Sequence, residues 1–300
     1  MKKLFPHLCF VIISVLCCTC SSGKKDTERT TIKFYFTPSN DADQLIENSK
    51  KFIDYLQKET GYKIETAIPT NYITVIEAFG SKRADIAWMN SFGYILANEK
   101  YGANASLRII RNGSTFYRGQ IIANVASGIN TLKDLNGKRF AYVDPASTSG
   151  YILPSKMLKD NNITPNNTVY GMKHDVVVTM VYQQQADAGA TFYSPPRDGK
   201  IKDARERVLT QFPDVEKKVK IIALTDSIPN DPLVFRKDLP QEVVTKVRDA
   251  ILKYSESEEG KQVYQTLYAI DGFIPTTDAD YDYLRRTIKD IEFNLEDALK

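Results

Sequence analysis

The chain has 300 residues, 42% hydrophobic and 26% charged, and its net charge of +3 becomes +1 once Lys2 and Lys3 are taken away with a leader. That length suits one large domain or two medium ones. With neither a basic excess for nucleic acid nor an acidic tail, any ligand charge has to be met locally.

Residues 8–18, LCFVIISVLCC, follow a short basic start and have the length of a secretory leader, too short to span a bilayer. A polar tether covers 21–30. All four cysteines, Cys9, Cys17, Cys18 and Cys20, lie in this leader. The body therefore has no disulfide and no thiol nucleophile. Cysteines at the end of an apolar leader resemble a bacterial lipoprotein signal, whose Cys is lipidated and becomes the new N-terminus. Cys20, followed by the polar tether, is the expected site, and Cys18, three residues after Val15, is the alternative. An ordinary cleaved signal is the plainer alternative. A lipid anchor would hold the body at the outer face of a membrane.

The body begins with a β-branched and aromatic strand at 32–37 and a helix at 41–60 that Gly61 stops. A strand follows at 62–69, a helix at 72–82, a strand at 84–89, a helix at 91–101 and a strand at 107–112. The middle repeats the alternation. Strands are expected at 119–125 and 138–144, with a short helix at 131–137 between them. A helix at 149–160, a strand at 168–172, a helix at 174–186 and a strand at 188–193 come next. After a strand at 219–225 and a Pro-rich stretch, helices are expected at 240–254, 258–268 and 278–298. Strand and helix in alternation predict an α/β fold with mostly parallel sheets. No solenoid repeat is present.

Residues 144–150, DPASTSG, place Ser147, Thr148 and Ser149 at the start of a helix. Unpaired N–H groups and partial positive charge at a helix start suit an oxyanion, and hydroxyls add donors. Plain N-capping needs only one of them. A hydrolase elbow would need Gly-x-Ser-x-Gly, which is absent. His174 opens a helix after a strand, where it can donate to an anion or simply cap. Tyr72, Asn90 and Ser91 also stand at strand-to-helix junctions, and Tyr193 closes a strand. Asp231 lies in a Pro-flanked loop, where a turn role is the default. One body histidine and no HExxH leave a metal centre without ligands, and neither a nucleotide P-loop nor any other cofactor motif is visible. In open α/β sheets ligands bind just past strand ends, where these residues fall.

DPASTSGYILP, ADIAWMNSFGY, TNYITVIEAF, NDPLVFRKDLP and LYAIDGFIPTTDADYD together resemble the phosphate/phosphite/phosphonate-binding proteins of bacterial ABC importers, over about residues 32–285. The resemblance implies a type II periplasmic-binding-protein fold, two α/β lobes joined by crossover strands near 117–125 and 221–232. Lobe one would be 31–120 plus 226–300, and lobe two 121–225. It also implies a phosphorus oxyanion held by Ser147, Thr148, Ser149, Tyr72 and His174, with Asp231 lining the site. Asn90, Ser91 and Tyr193 complete the candidate ligand set. The expected partners are an ABC permease and its ATPase, served by a monomeric receptor that is not an enzyme.

Two positions depart from relatives that bind aminoalkylphosphonates. Met89, then Asn90 and Ser91, stand where those have a Tyr after Trp, and Ser194 or its neighbours stand where they grip the amine with Glu. A smaller or uncharged substituent is therefore expected, held by neutral donors without a buried Arg and with His174 tuning affinity near its ordinary pKa of about 6.5. The alternative function is a sensing module of the same fold that feeds a signalling partner.

Overall fold

The computed structural model describes residues 30–289 and 291. The leader, both candidate lipidation cysteines and the end of the expected final helix lie outside the described residues.

Eleven strands are described: β1 (Thr31–Phe36), β2 (Lys63–Ala67), β3 (Ile86–Trp88), β4 (Asn104–Arg111), β5 (Phe116–Asn124), β6 (Arg139–Tyr142), β7 (Asn167–Tyr170), β8 (Ala188–Tyr193), β9 (Val219–Pro229), β10 (Pro232–Phe235) and β11 (Ile270–Pro275). They form two sheets, ordered β11-β4-β10-β3-β1-β2 and β7-β6-β8-β5-β9. Each sheet supports a lobe. In each, the strands joined through helices run parallel, as β1 does with β2 and β3, and β6 with β7 and β8. The returning strands β10, β4, β11, β5 and β9 pair antiparallel. The sheets are thus mixed, a correction to the expected mostly parallel arrangement. Its source is the chain's return from lobe two to lobe one, which brings β10 and β11 in from the opposite direction.

The chain passes between sheets at 112–115 and again at 230–231. β5 and β9 form a long antiparallel pair from Phe116 opposite Pro229 to Asn124 opposite Val219, with register shifts along it. The expected lobe boundaries at 120 and 225 fall inside these two strands, which belong to the second sheet throughout.

Helices cover both faces: α1 (Ala42–Thr60), α2 (Tyr72–Gly80), α3 (Ser91–Tyr101), α4 (Leu153–Asp160), α5 (His174–Tyr182), α6 (Val215–Lys218), α7 (Gln241–Glu256), α8 (Glu258–Tyr268) and α9 (Asp282–Ile288). α1 shows why the sequence folds so. Asp41 accepts the Asp43 and Gln44 amides at its start, and Gly61 ends it in the left-handed region at φ 71°. Period-two alternation splits the core of lobe one. Phe34, Phe36 and Trp88 pack with α1, α7 and α8 on one face, while Ala87, Met89 and Val234 meet α2 and α3 on the other. The second cluster continues across the cleft to Ala146, Ile152 and Ile228, so apolar contact joins the lobes.

Candidate functional site

The carboxyl ends of β1, β3, β6, β7 and β8 converge on one cavity of about 460 Å³ between the lobes. Seven of the nine residues singled out in the sequence line it: Tyr72, Asn90, Ser147, Thr148, Ser149, His174 and Asp231. Two do not. The Ser91 hydroxyl donates to the Pro229 carbonyl at 2.5 Å, and the side chain is fully buried. Tyr193 follows Phe192 on β8, and strand alternation gives the cavity to Phe192.

The hydroxyl segment leaves β6 through Asp144, whose backbone carbonyl accepts the Ser147 amide at 2.8 Å. Ser147 is the N-cap, its hydroxyl accepting the Gly150 amide at 3.1 Å. The expected helix from 149 begins instead as a wide π turn over Thr148–Ile152 before α4. Gly150 allows this close approach, because a Cβ there would run into the Val143 side chain. A serine hydroxyl that accepts once still has a proton to donate. The Thr148 hydroxyl accepts from the Phe92 amide at 2.9 Å and from the Asn90 carboxamide at 3.0 Å, both on the opposite lobe. Asn90 also donates to the Ala146 carbonyl at 2.8 Å.

Other bonds cross the cleft. The Tyr72 amide donates to the Asp144 carboxylate at 3.3 Å, Lys173 pairs with Asp41 at 3.3 Å, and Arg207 donates to the Ser39 carbonyl at 2.7 Å. The Tyr72–Asp144 bond, which is buried, is worth roughly 0.5–1.5 kcal/mol net, and the exposed Lys173–Asp41 pair adds little. Together they describe closed lobes.

The donors facing the cavity are distinctive. The Tyr72 hydroxyl is buried with no hydrogen-bond partner among the described residues, and burial, then Asp144, raises its pKa well above the ordinary value. His174 Nδ1 accepts the Phe192 amide at 3.3 Å. Burial, reinforced by Arg207 and Arg111, pushes the imidazole well below 6.5, so it is neutral and carries its proton on Nε2. This corrects the expected titration near 6.5. Tyr117 stands beside Ser149 and Thr148; burial raises its pKa, and those hydroxyls lean the other way.

Charge is present as well. Arg111 and Arg207 both line the cavity, a correction to the expectation of neutral donors alone. Arg111 donates to the Tyr268 carbonyl at 2.8 Å and to Asp231 at 3.2 Å. Burial raises the Asp231 pKa and Arg111 opposes it. Arg207 lies over the Phe192 ring at 4.7 Å. Arg111 ends a strand, so the strand-end criterion that selected Asn90 would also have selected it. Arg207 sits in a 3-10 turn, Ala204–Val208, with no periodic signal in the sequence. Among the described residues no group of three or more His, Cys, Asp or Glu is placed to hold a metal ion.

Residues 34–281 match the family described as "ABC transporter, phosphonate, periplasmic substrate-binding protein". The chain belongs to this family. It is similar to the phosphonates-binding periplasmic protein of Escherichia coli, 24% identical over 88% of this chain and 78% of that one. It is also similar to the phosphate-import protein PhnD of Mycolicibacterium smegmatis, 25% identical over 91% of each. In fold it matches the binding-protein component of an ABC phosphonate transporter from Pseudomonas aeruginosa, with a TM-score of 0.76 at 23% identity over 90% of this chain and 92% of that one. Family members are extracytoplasmic binding components of transporters.

Proposed function

We propose that this chain is the lipid-anchored receptor of an ABC importer and that it traps a phosphorus oxyanion between its lobes for delivery to a permease and its ATPase. Ser147, Thr148, Ser149 and the helix start form the cradle, with Tyr72 and the neutral His174 donating from other walls. The carrying observation is Tyr72, which lines the cavity and whose hydroxyl is buried without a hydrogen-bond partner among the described residues. An unmade buried hydrogen bond costs about 1–3 kcal/mol, which a ligand oxygen would remove. The cradle's neutral donors act beside Arg111 and Arg207 on the cavity wall, and hydrogen bonds to charged groups are roughly twice as strong as neutral ones. The two relatives' names, phosphonates-binding and phosphate-import, bracket the ligand. A phosphonate is the leading candidate, with phosphate and phosphite as competitors.

Action as a monomer belongs to the same reading. Lipidation at Cys20, or at Cys18, would keep the receptor near its permease.

Calorimetry on protein freed of ligand by unfolding and refolding tests this with phosphate, phosphite, methylphosphonate, 2-aminoethylphosphonate and sulfate. Micromolar or tighter binding of one phosphorus oxyanion is expected, with sulfate far weaker. Preference for sulfate, or no heat from any phosphorus compound, would refute the assignment.

A further inference from the structure

We propose that the cleft selects phosphorus oxyanions whose substituent carries a second anionic group, and that Arg207, supported by Arg111, receives that group. The proposal rests on the oxyanion assignment above and concerns the part of the cavity beyond the cradle.

Size is the first observation. The cavity of about 460 Å³ falls in the range of roughly 300–1,000 Å³ usual for small-molecule sites. A phosphite or methylphosphonate ion would leave most of it to solvent, whereas cavities of this size ordinarily enclose larger organic ligands. The expected small substituent does not use this space.

Charge is the second. Four cations stand on or beside the cavity. Lys202 pairs with Glu206 at 2.5 Å, Lys173 with Asp41 at 3.3 Å, and Arg111 with Asp231 at 3.2 Å. Arg207 is in no ion pair among the described residues. Its guanidinium has five N–H donors. One goes to the Ser39 carbonyl, and the Phe192 ring fixes the plane. The side chain keeps open surface, and it lines the cleft. A planar, oriented guanidinium with donors to offer is suited to a carboxylate or a second phosphoryl group.

Asp175 opposes this. It lines the cavity, and its Oδ1 is buried without a hydrogen-bond partner among the described residues. It lies in the first turn of α5, however, where the helix N-terminus already offsets a carboxylate. With Asp231 matched by Arg111, and Asp175 acting on Arg207 through space without an ion-pair contact, the Arg207 guanidinium keeps the donors that a substituent meets. An ammonium there would face a guanidinium, and a carboxylate would bind it.

Calorimetry on the refolded, ligand-free protein tests this with ethylphosphonate, 2-aminoethylphosphonate and the series from phosphonoacetate to 4-phosphonobutyrate. The best carboxylate is expected to bind at least tenfold tighter than ethylphosphonate, and the aminoethyl compound more weakly. Arg207→Gln should cost that carboxylate at least tenfold more than it costs ethylphosphonate. If Arg207→Gln does not fold, Arg207→Lys, which keeps the charge but loses the fork, should shrink the preference at least threefold. Ethylphosphonate binding as tightly as every carboxylate, or the aminoethyl compound binding tighter, would overturn the second-anion subsite and leave the oxyanion receptor standing. A carboxylate preference unchanged by either variant would overturn the role of Arg207. No binding of any phosphorus compound would remove both proposals together.

Discussion

The Thr148 hydroxyl accepts the Phe92 amide at 2.9 Å from across the cleft. The middle residue of the cradle is therefore bonded to the lobe it must close against. Thr148→Val keeps the shape and removes the acceptor, leaving a buried amide to bear a cost of about 1–3 kcal/mol in the closed state. Affinity for the phosphorus ligand should fall by at least tenfold, with Thr148→Ser retaining most of it. Calorimetry on both variants checks this; equal affinities for Val and Ser would exclude a role for the hydroxyl.

Tyr72 should show opposite effects on stability and on binding. Its hydroxyl has no hydrogen-bond partner among the described residues, so Tyr72→Phe is expected to leave thermal stability unchanged or slightly raised. The same change should weaken ligand binding by roughly 10–100-fold, as loss of a hydrogen bond to a charged group does. A Phe variant that binds like wild type would show that the hydroxyl does not reach the ligand.

His174 is held neutral by burial and by the Arg207 and Arg111 charges. Its folded pKa lies below 6.5, so in the window between the two values the unfolded chain binds the extra proton. Stability from this group is complete above about pH 6.5 and declines as pH falls below it. In nuclear magnetic resonance the imidazole of the ligand-free protein should show no titration midpoint near 6.5. A midpoint there would mean the ring is solvated and that ligand affinity follows its charge.

Asp144 is buried behind the cradle, accepting the Ala146 amide at 2.8 Å, and burial raises its pKa above 3.8. Here the folded state holds the proton longer than the unfolded chain. Its contribution to stability is greatest below pH 3.8 and is lost as pH rises through the folded pKa. Asp144→Asn should therefore gain stability relative to wild type as pH rises from 4 to 7, measured by urea unfolding. A difference that stays constant with pH would show that Asp144 carries no such linkage.

Much of the fold was legible because helices and strands imprint their own periods. The expected helices at 41–60, 91–101 and 258–268 match α1, α3 and α8 closely. β10 and β11 were not, since their prolines and short apolar runs read as loop until pairing with β3 and β4 places them. At the site, hydroxyls and amides beside helix starts were visible as local patterns. Ser91 shares that pattern with Asn90, yet one turns to Pro229 and the other to the cavity.

The sequence by itself determined the alternation of elements, the two-lobe family and the hydroxyl-rich helix start, because each is written in residues a few positions apart. Only the tertiary structure decided that Tyr72 is left without a partner, that His174 is neutral, and that Arg207 reaches the cleft from a turn with no motif. Those properties depend on burial and on charges brought together from distant segments, and no local pattern encodes which segments will meet.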